Sequence, residues 1–153
     1  MAASFQMHPD VAKWFDEINR PPIEIKFELF YYCLIAGFAT RRAEPVPPGA
    51  VDFVDYYPGE FKTRGRLLVG LLLEAELKRR GIGLNEREAV NRNINTIVSH
   101  SSSVHLSAEG IRLMNQYAHG GWSALTEYFS DRPRTLETFV RTYVRFIRDS
   151  LSA

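Results

Sequence analysis

Apolar residues along this chain recur mainly at helical spacing. Val11, Trp14, Phe15 and Ile18 form an i, i+3, i+4, i+7 stripe that predicts a first helix from Pro9-Asp10, closed by Pro21-Pro22. Residues Glu24 to Ala39 are apolar nearly all round, which predicts a buried central helix. Its start alternates like a strand at Ile23, Ile25, Phe27 and Leu29, but its length and the lack of a partner strand favour helix. A third helix is expected from Arg64 to Arg80, with Leu67, Leu68, Leu71, Leu72, Ala75 and Leu77 on its packed side and Gly81 as its stop. Asn85 followed by Glu88 is a capping pattern for a fourth, whose stripe is Val90, Ile94, Ile97 and Val98. This helix is expected to fray in Ser101-Ser102-Ser103. Ser107 caps a fifth helix carrying Ile111, Met114 and Tyr117, and Gly120-Gly121 are expected to interrupt it before a short sixth with Trp122, Leu125, Tyr128 and Phe129. The last helix, capped by Thr135, has the clearest period: Leu136, Phe139, Val140, Tyr143, Val144, Ile147 and Leu151.

Between the second and third helices, the prolines and glycine of Arg41 to Gly49 enforce an extended connection. The aromatic residues Phe53, Tyr56, Tyr57 and Phe61 predict that this loop is pinned to the body, with Asp52, Asp55 and Glu60 in water. The expected architecture is all-α: one domain, residues 1–153, a compact bundle or array of about six to seven helices with one long aromatic-rich Pro/Gly loop.

Composition agrees with a globular chain: 45% of the 153 residues are hydrophobic and 24% charged. A net charge of +1, from 19 basic and 18 acidic residues, does not by itself point to nucleic acid or membrane, but a near-zero sum can conceal local patches. Cys33 is the single cysteine and lies in an apolar run, so it is expected to be a small buried hydrophobe rather than a reactive thiol. The first residues show no basic-then-apolar leader, and Leu29 to Ala39 is too short for a membrane span; a cytoplasmic protein is expected.

Several chemistries lack their residues. Gly65 and Gly70 have the outer spacing of a phosphate loop, but no Lys-Ser or Lys-Thr follows. His119-Gly120-Gly121 has the look of an oxyanion loop without a nucleophile motif, so a helix-breaking turn is expected. No zinc or di-iron ligand spacing occurs, and no cofactor or metal is expected. Glu74 and Glu76 point in different directions on a helix and are expected to be solvated. Lys78-Arg79-Arg80 are explained by the negative end of the helix dipole.

Three features remain as candidates. Arg141, Arg145 and Arg148, at i, i+4 and i+7, share one face of the last helix and suit bidentate contact with phosphates. A solvated face, partly paired with Glu137 or Asp149, is the plainer explanation. Asn91-Arg92-Asn93-Ile94-Asn95 makes an unusual polar face able to meet a nucleic-acid backbone or another subunit. Finally, Arg112 and His119 lie two helical turns apart, and Arg92 with Asn93 and His100 is a looser pair. Both resemble the Arg-polar-His motif of HEPN ribonucleases, although Leu113 stands where a polar residue is preferred and the Arg92 pair is a residue too long. That resemblance implies a dimeric, metal-independent ribonuclease, with His119 as acid or base and Arg112 stabilising the charge on phosphorus.

The run from Phe27 to Phe38, ending beyond Gly37, resembles the buried helix of DndE-like proteins, small helical components of bacterial DNA sulfur-modification systems. The loop to Gly65, the run Leu67 to Glu74 and the turn Asn115 to Gly121 are similar to later parts of the same family, covering about half the chain. The resemblance implies a DNA-associated, non-enzymatic subunit working with larger partners, and it assigns no binding residue. The function expected first is therefore a helical accessory protein that binds DNA or a partner protein in bacterial defence or DNA modification. Arg141, Arg145 and Arg148 would meet phosphates, with Arg92 in support. The alternatives are the ribonuclease and a purely structural interaction subunit contacting partners through Phe53 to Phe61; a homodimer is compatible with each.

Overall fold

Helix α1, Pro9–Trp14, begins where a proline occupies its first turn and the Nδ1 of His8 accepts the Asp10 amide at 3.1 Å. The computed structural model describes residues 3–23 and 25–152. Beyond α1 the chain continues in turns that still bury Phe15 and Ile18, so the expected stripe is kept although its last part is not helical. Helix α2 spans Lys26–Thr40; Glu24, its expected start, lies outside the described residues, and Ile25 is extended. Phe27, Leu29, Phe30, Cys33, Leu34 and Ala36 are all buried, as a central helix requires.

The first departure from an all-α fold is a small antiparallel sheet. β1, Phe5–Met7, pairs with β2, Val51–Val54, with Phe5 opposite Val54 and Met7 opposite Val51. The buried Asn115 side chain completes the free edge of β1: its Oδ1 accepts the Gln6 amide at 3.0 Å and its Nδ2 donates to the Ser4 carbonyl at 3.1 Å. The architecture is thus mostly helical, with six α-helices and one two-stranded sheet among the described residues.

A 3-10 helix, Gly59–Arg64, leads into α3, Gly65–Arg79. Tyr57 and Phe61 are buried and Phe53 half-buried, so most of the loop aromatics serve the core, while Tyr56 is exposed. Phe27 and Phe61 pack with tilted rings whose centres are 4.9 Å apart, and the Tyr57 hydroxyl donates to the Val104 carbonyl at 3.0 Å. Asp52, Asp55 and Glu60 are exposed as expected. In α3, Leu68, Leu72, Ala75 and Leu77 are buried, but Leu67 is 60% exposed: the leucine-rich run holds more apolar residues than one face. Gly81, at φ +70°, ends this segment in the left-handed conformation expected of it.

Helix α4, Arg87–Ile97, starts after Glu86 rather than at an Asn85 cap; Glu86 instead accepts the Gly83 amide at 2.6 Å. Helix α5, Ala108–Tyr128, is capped by Ser107, whose Oγ accepts the Gly110 amide at 3.0 Å. It runs unbroken through Gly120-Gly121, where an interruption was expected. The reason is packing. A Cβ on Gly121 would overlap the Cys33 carbonyl oxygen, one on Gly120 the Arg42 carbonyl oxygen, and one on Gly37 the Tyr117 carbonyl oxygen. Gly37 and Gly121 let α2 and α5 touch backbone to backbone, forming the most extensive helix pair among the described residues, and Gly120 admits the chain that follows α2. Helix α6, Leu136–Ser152, is capped by Thr135 and lays Phe139, Tyr143 and Phe146 on the core. Val140, Val144 and Leu151, expected on the packed stripe, are exposed instead, because the stripe is wider than the face α2 and α5 cover. Among the described residues no helix is long and apolar enough to cross a membrane.

Candidate nucleic-acid interface

Three helices meet at a surface cleft of about 420 Å³ lined by Arg79, Arg80, Arg92 and Arg112, with Asn93 and Gln116 beside them. α3 ends in Arg79 and is capped by Arg80 just before the glycine stop, α4 supplies Arg92 and Asn93, and the first half of α5 supplies Arg112 and Gln116. The chain carries a net charge of only +1, so this grouping is a local concentration of positive charge.

Three of the four arginines are held by carboxylates. Glu76, expected in solvent, is 0% exposed, and its Oε1 receives Arg79 Nη2 at 2.5 Å and Arg80 Nε at 2.9 Å. A buried carboxylate needs such charge-assisted partners. Its second oxygen is buried without a hydrogen bond. The Tyr117 hydroxyl lies in the field of Glu76 and Arg79 without a well-formed hydrogen bond, and burial, with Glu76 adding, pushes its pKa up to about 12. Glu109 is hydrogen-bonded to Arg112. Arg92 has no acidic partner at ion-pair distance among the described residues. Asn93 is anchored by donating Nδ2 to the Ala89 carbonyl at 2.9 Å, leaving its amide oxygen for a ligand.

A second, open groove of about 620 Å³ adjoins the cleft and shares Glu109, Arg112 and Gln116 with it. Its far wall is polar rather than basic, formed by Gln6, Asp52 and Asn115, with Gln6 Nε2 donating to Asp52 at 2.8 Å.

The remaining candidates lie elsewhere. Arg141, Arg145 and Arg148 line a groove along α6, apart from Arg92 on α4. Arg112 and His119 share a face of α5 yet border different cavities: His119 lines a small one with His8, Cys33 and Asn115, whose interior of about 10 Å³ has room for one water. Its ring packs on Trp122 at 5.4 Å. His100 sits exposed in the turn after α4. Among the described residues no three His, Cys, Asp or Glu side chains gather as metal ligands.

Burial lowers the pKa of His119, with nearby His8 adding to the effect and the Glu44 carboxylate opposing it. In the unfolded chain a histidine titrates at about 6.5. The neutral ring is thus favoured by the fold, and the stability it lends is present above that pH and lost as pH falls. An NMR titration is expected to give His119 a midpoint below 6.5, and a value at or above it would contradict this packing.

Arg92 and Arg112 stand out in the sequence, whereas Glu76 was expected in water and Arg79 and Arg80 were accounted for by the helix dipole alone. Comparison with protein-family models, with curated proteins and with solved structures finds no match to this chain.

Proposed function

We propose that this chain is a non-enzymatic, cytoplasmic helical accessory protein that binds the phosphate backbone of DNA through the arginine cleft between α3, α4 and α5. The observation that carries the reading is the convergence of Arg79, Arg80, Arg92 and Arg112 on one cleft. Arg79, Arg80 and Arg112, fixed by Glu76 and Glu109, present their remaining donors in set directions, as backbone recognition requires, and Arg92 adds a cation with no acidic partner at ion-pair distance among the described residues. The amides of Asn93 and Gln116 add neutral contacts. The likeness of the α2 region and of Asn115–Gly121 to DndE-like proteins turns the reading toward DNA, and toward work beside larger proteins in DNA modification or defence. The reading transfers the phosphate contacts from Arg141, Arg145 and Arg148 to the cleft and keeps Arg92 among them.

Anisotropy with labelled duplex DNA, single-stranded DNA and RNA, at two salt concentrations, tests it. Affinity is expected to fall steeply with salt, with a slope of about 0.9 per phosphate neutralised. R80A and R92A are each expected to reduce that slope by about one. Salt-insensitive binding, or cleft variants that bind like wild type, would overturn the proposal. Loss of RNA that depends on His119 would transfer the reading to a ribonuclease.

A further inference from the structure

The arginines of α6 sit in different surroundings from those of the cleft. Val140, Val144 and Leu151 are 41%, 48% and 67% exposed and lie along one side of the helix. Val140 and Val144, with half-buried Leu136, give an apolar floor to an open groove of about 740 Å³ whose flank is built by Arg141, Arg145 and Arg148, and Leu151 lies beyond it. Glu137 is the one acidic residue lining it among the described residues, and its carboxylate is taken by Arg141 at 2.6 Å. Asp149 is turned toward Tyr128, whose hydroxyl donates to it at 2.9 Å.

An apolar floor is wasted on a phosphate backbone, whereas an arginine flank is wasted on a neutral chain. From this pairing we infer that the outer face of α6 docks an acidic amphipathic helix of a partner protein, its apolar stripe on Val140 and Val144 and its carboxylates against Arg145 and Arg148. A second copy of this chain fits poorly. In a two-fold antiparallel α6 pair centred on Val144, Arg141 of one copy lies beside Arg148 of the other, bringing like charges together. The inference is independent of DNA binding, since the groove and the cleft share no residue.

The test uses the full chain and a synthetic helical peptide of about sixteen residues, or four to five turns. The peptide carries leucines at i, i+4, i+7 and i+11 and glutamates along one flank. Binding is expected below about 100 μM, in the range of transient contacts. V144D is expected to weaken it about tenfold, and the R145E/R148E pair by at least as much. A peptide with lysines in place of the glutamates should recover affinity for R145E/R148E, which a merely structural effect would not produce. DNA affinity should be little changed in V144D, which removes no arginine, whereas R145E/R148E lowers it through net charge alone and is read only by the peptide. The inference is overturned if the peptide does not bind, if charge exchange has no effect, or if anionic vesicles bind the chain through this face and the peptide does not. Sedimentation showing dimers that V144D dissolves would equally overturn it, in favour of self-association.

Discussion

Replacing Gly121 with alanine is expected to destabilise the fold by about 3 kcal/mol or more, the upper part of the range for overpacked cores. The added methyl would overlap the Cys33 carbonyl oxygen and lie 2.5 Å from the Gly37 amide nitrogen. Both are backbone atoms of α2, so no side chain can turn aside and the two helices must separate. Alanine is the better helix former by about 1 kcal/mol, which the overlap outweighs. The opposite result is expected at Gly70, inside α3, where a Cβ meets no atom within 4 Å. Gly70→Ala should stabilise by about 0.5–1 kcal/mol through propensity alone. In a chain of this length about 3 kcal/mol corresponds to a Tm lower by roughly 6–12 °C. Thermal and urea unfolding of the two variants measure both shifts. Wild-type stability in Gly121→Ala would mean that α2 and α5 stand further apart than described.

The same glycines explain what the sequence hides. Adjacent glycines that break a helix and adjacent glycines that let another helix approach are locally identical. What separates them is Gly37, which lies far away along the chain and faces them only after folding. The strands were illegible for a related reason. Phe5–Met7 and Val51–Val54 have three and four residues, too few to show a period, and their pairing is set by distant partners and Asn115. Helices α2 and α6 were legible because long segments repeat their pattern, although the pattern on α6 did not reveal that α2 and α5 would cover only part of it.

The cleft was partly legible. Arg92 stood out for its asparagine neighbours and Arg112 for its distance to His119, but no periodicity links residues on three helices. Arg79 and Arg80 had a sufficient local explanation in the helix dipole, and that explanation concealed their partner. A signal did exist at Glu76. It continues the stripe of Leu68, Val69 and Leu72 at helical spacing, and a carboxylate on an apolar stripe must find a cation or lose its charge.

Glu76→Gln therefore separates two ways in which the cleft can work. The substitution removes the negative charge that Arg79 and Arg80 share, so a cleft acting as a diffuse positive surface should bind DNA more tightly. It also weakens the charge-assisted bonds that orient Arg79 and Arg80 at 2.5 and 2.9 Å. If orientation matters more, affinity should fall about tenfold, or about 1.4 kcal/mol, despite the added charge. The second outcome is expected, because the guanidinium fork gains its strength from fixed bidentate geometry. Folding stability should fall by about 1–3 kcal/mol; the cost is limited because Arg79 and Arg80 are 39% and 55% exposed and can turn to water. Affinity and unfolding measured on the same variant distinguish the cases. Weaker binding by a still-folded protein supports an oriented site, and tighter binding would reduce the cleft to an unstructured patch of charge.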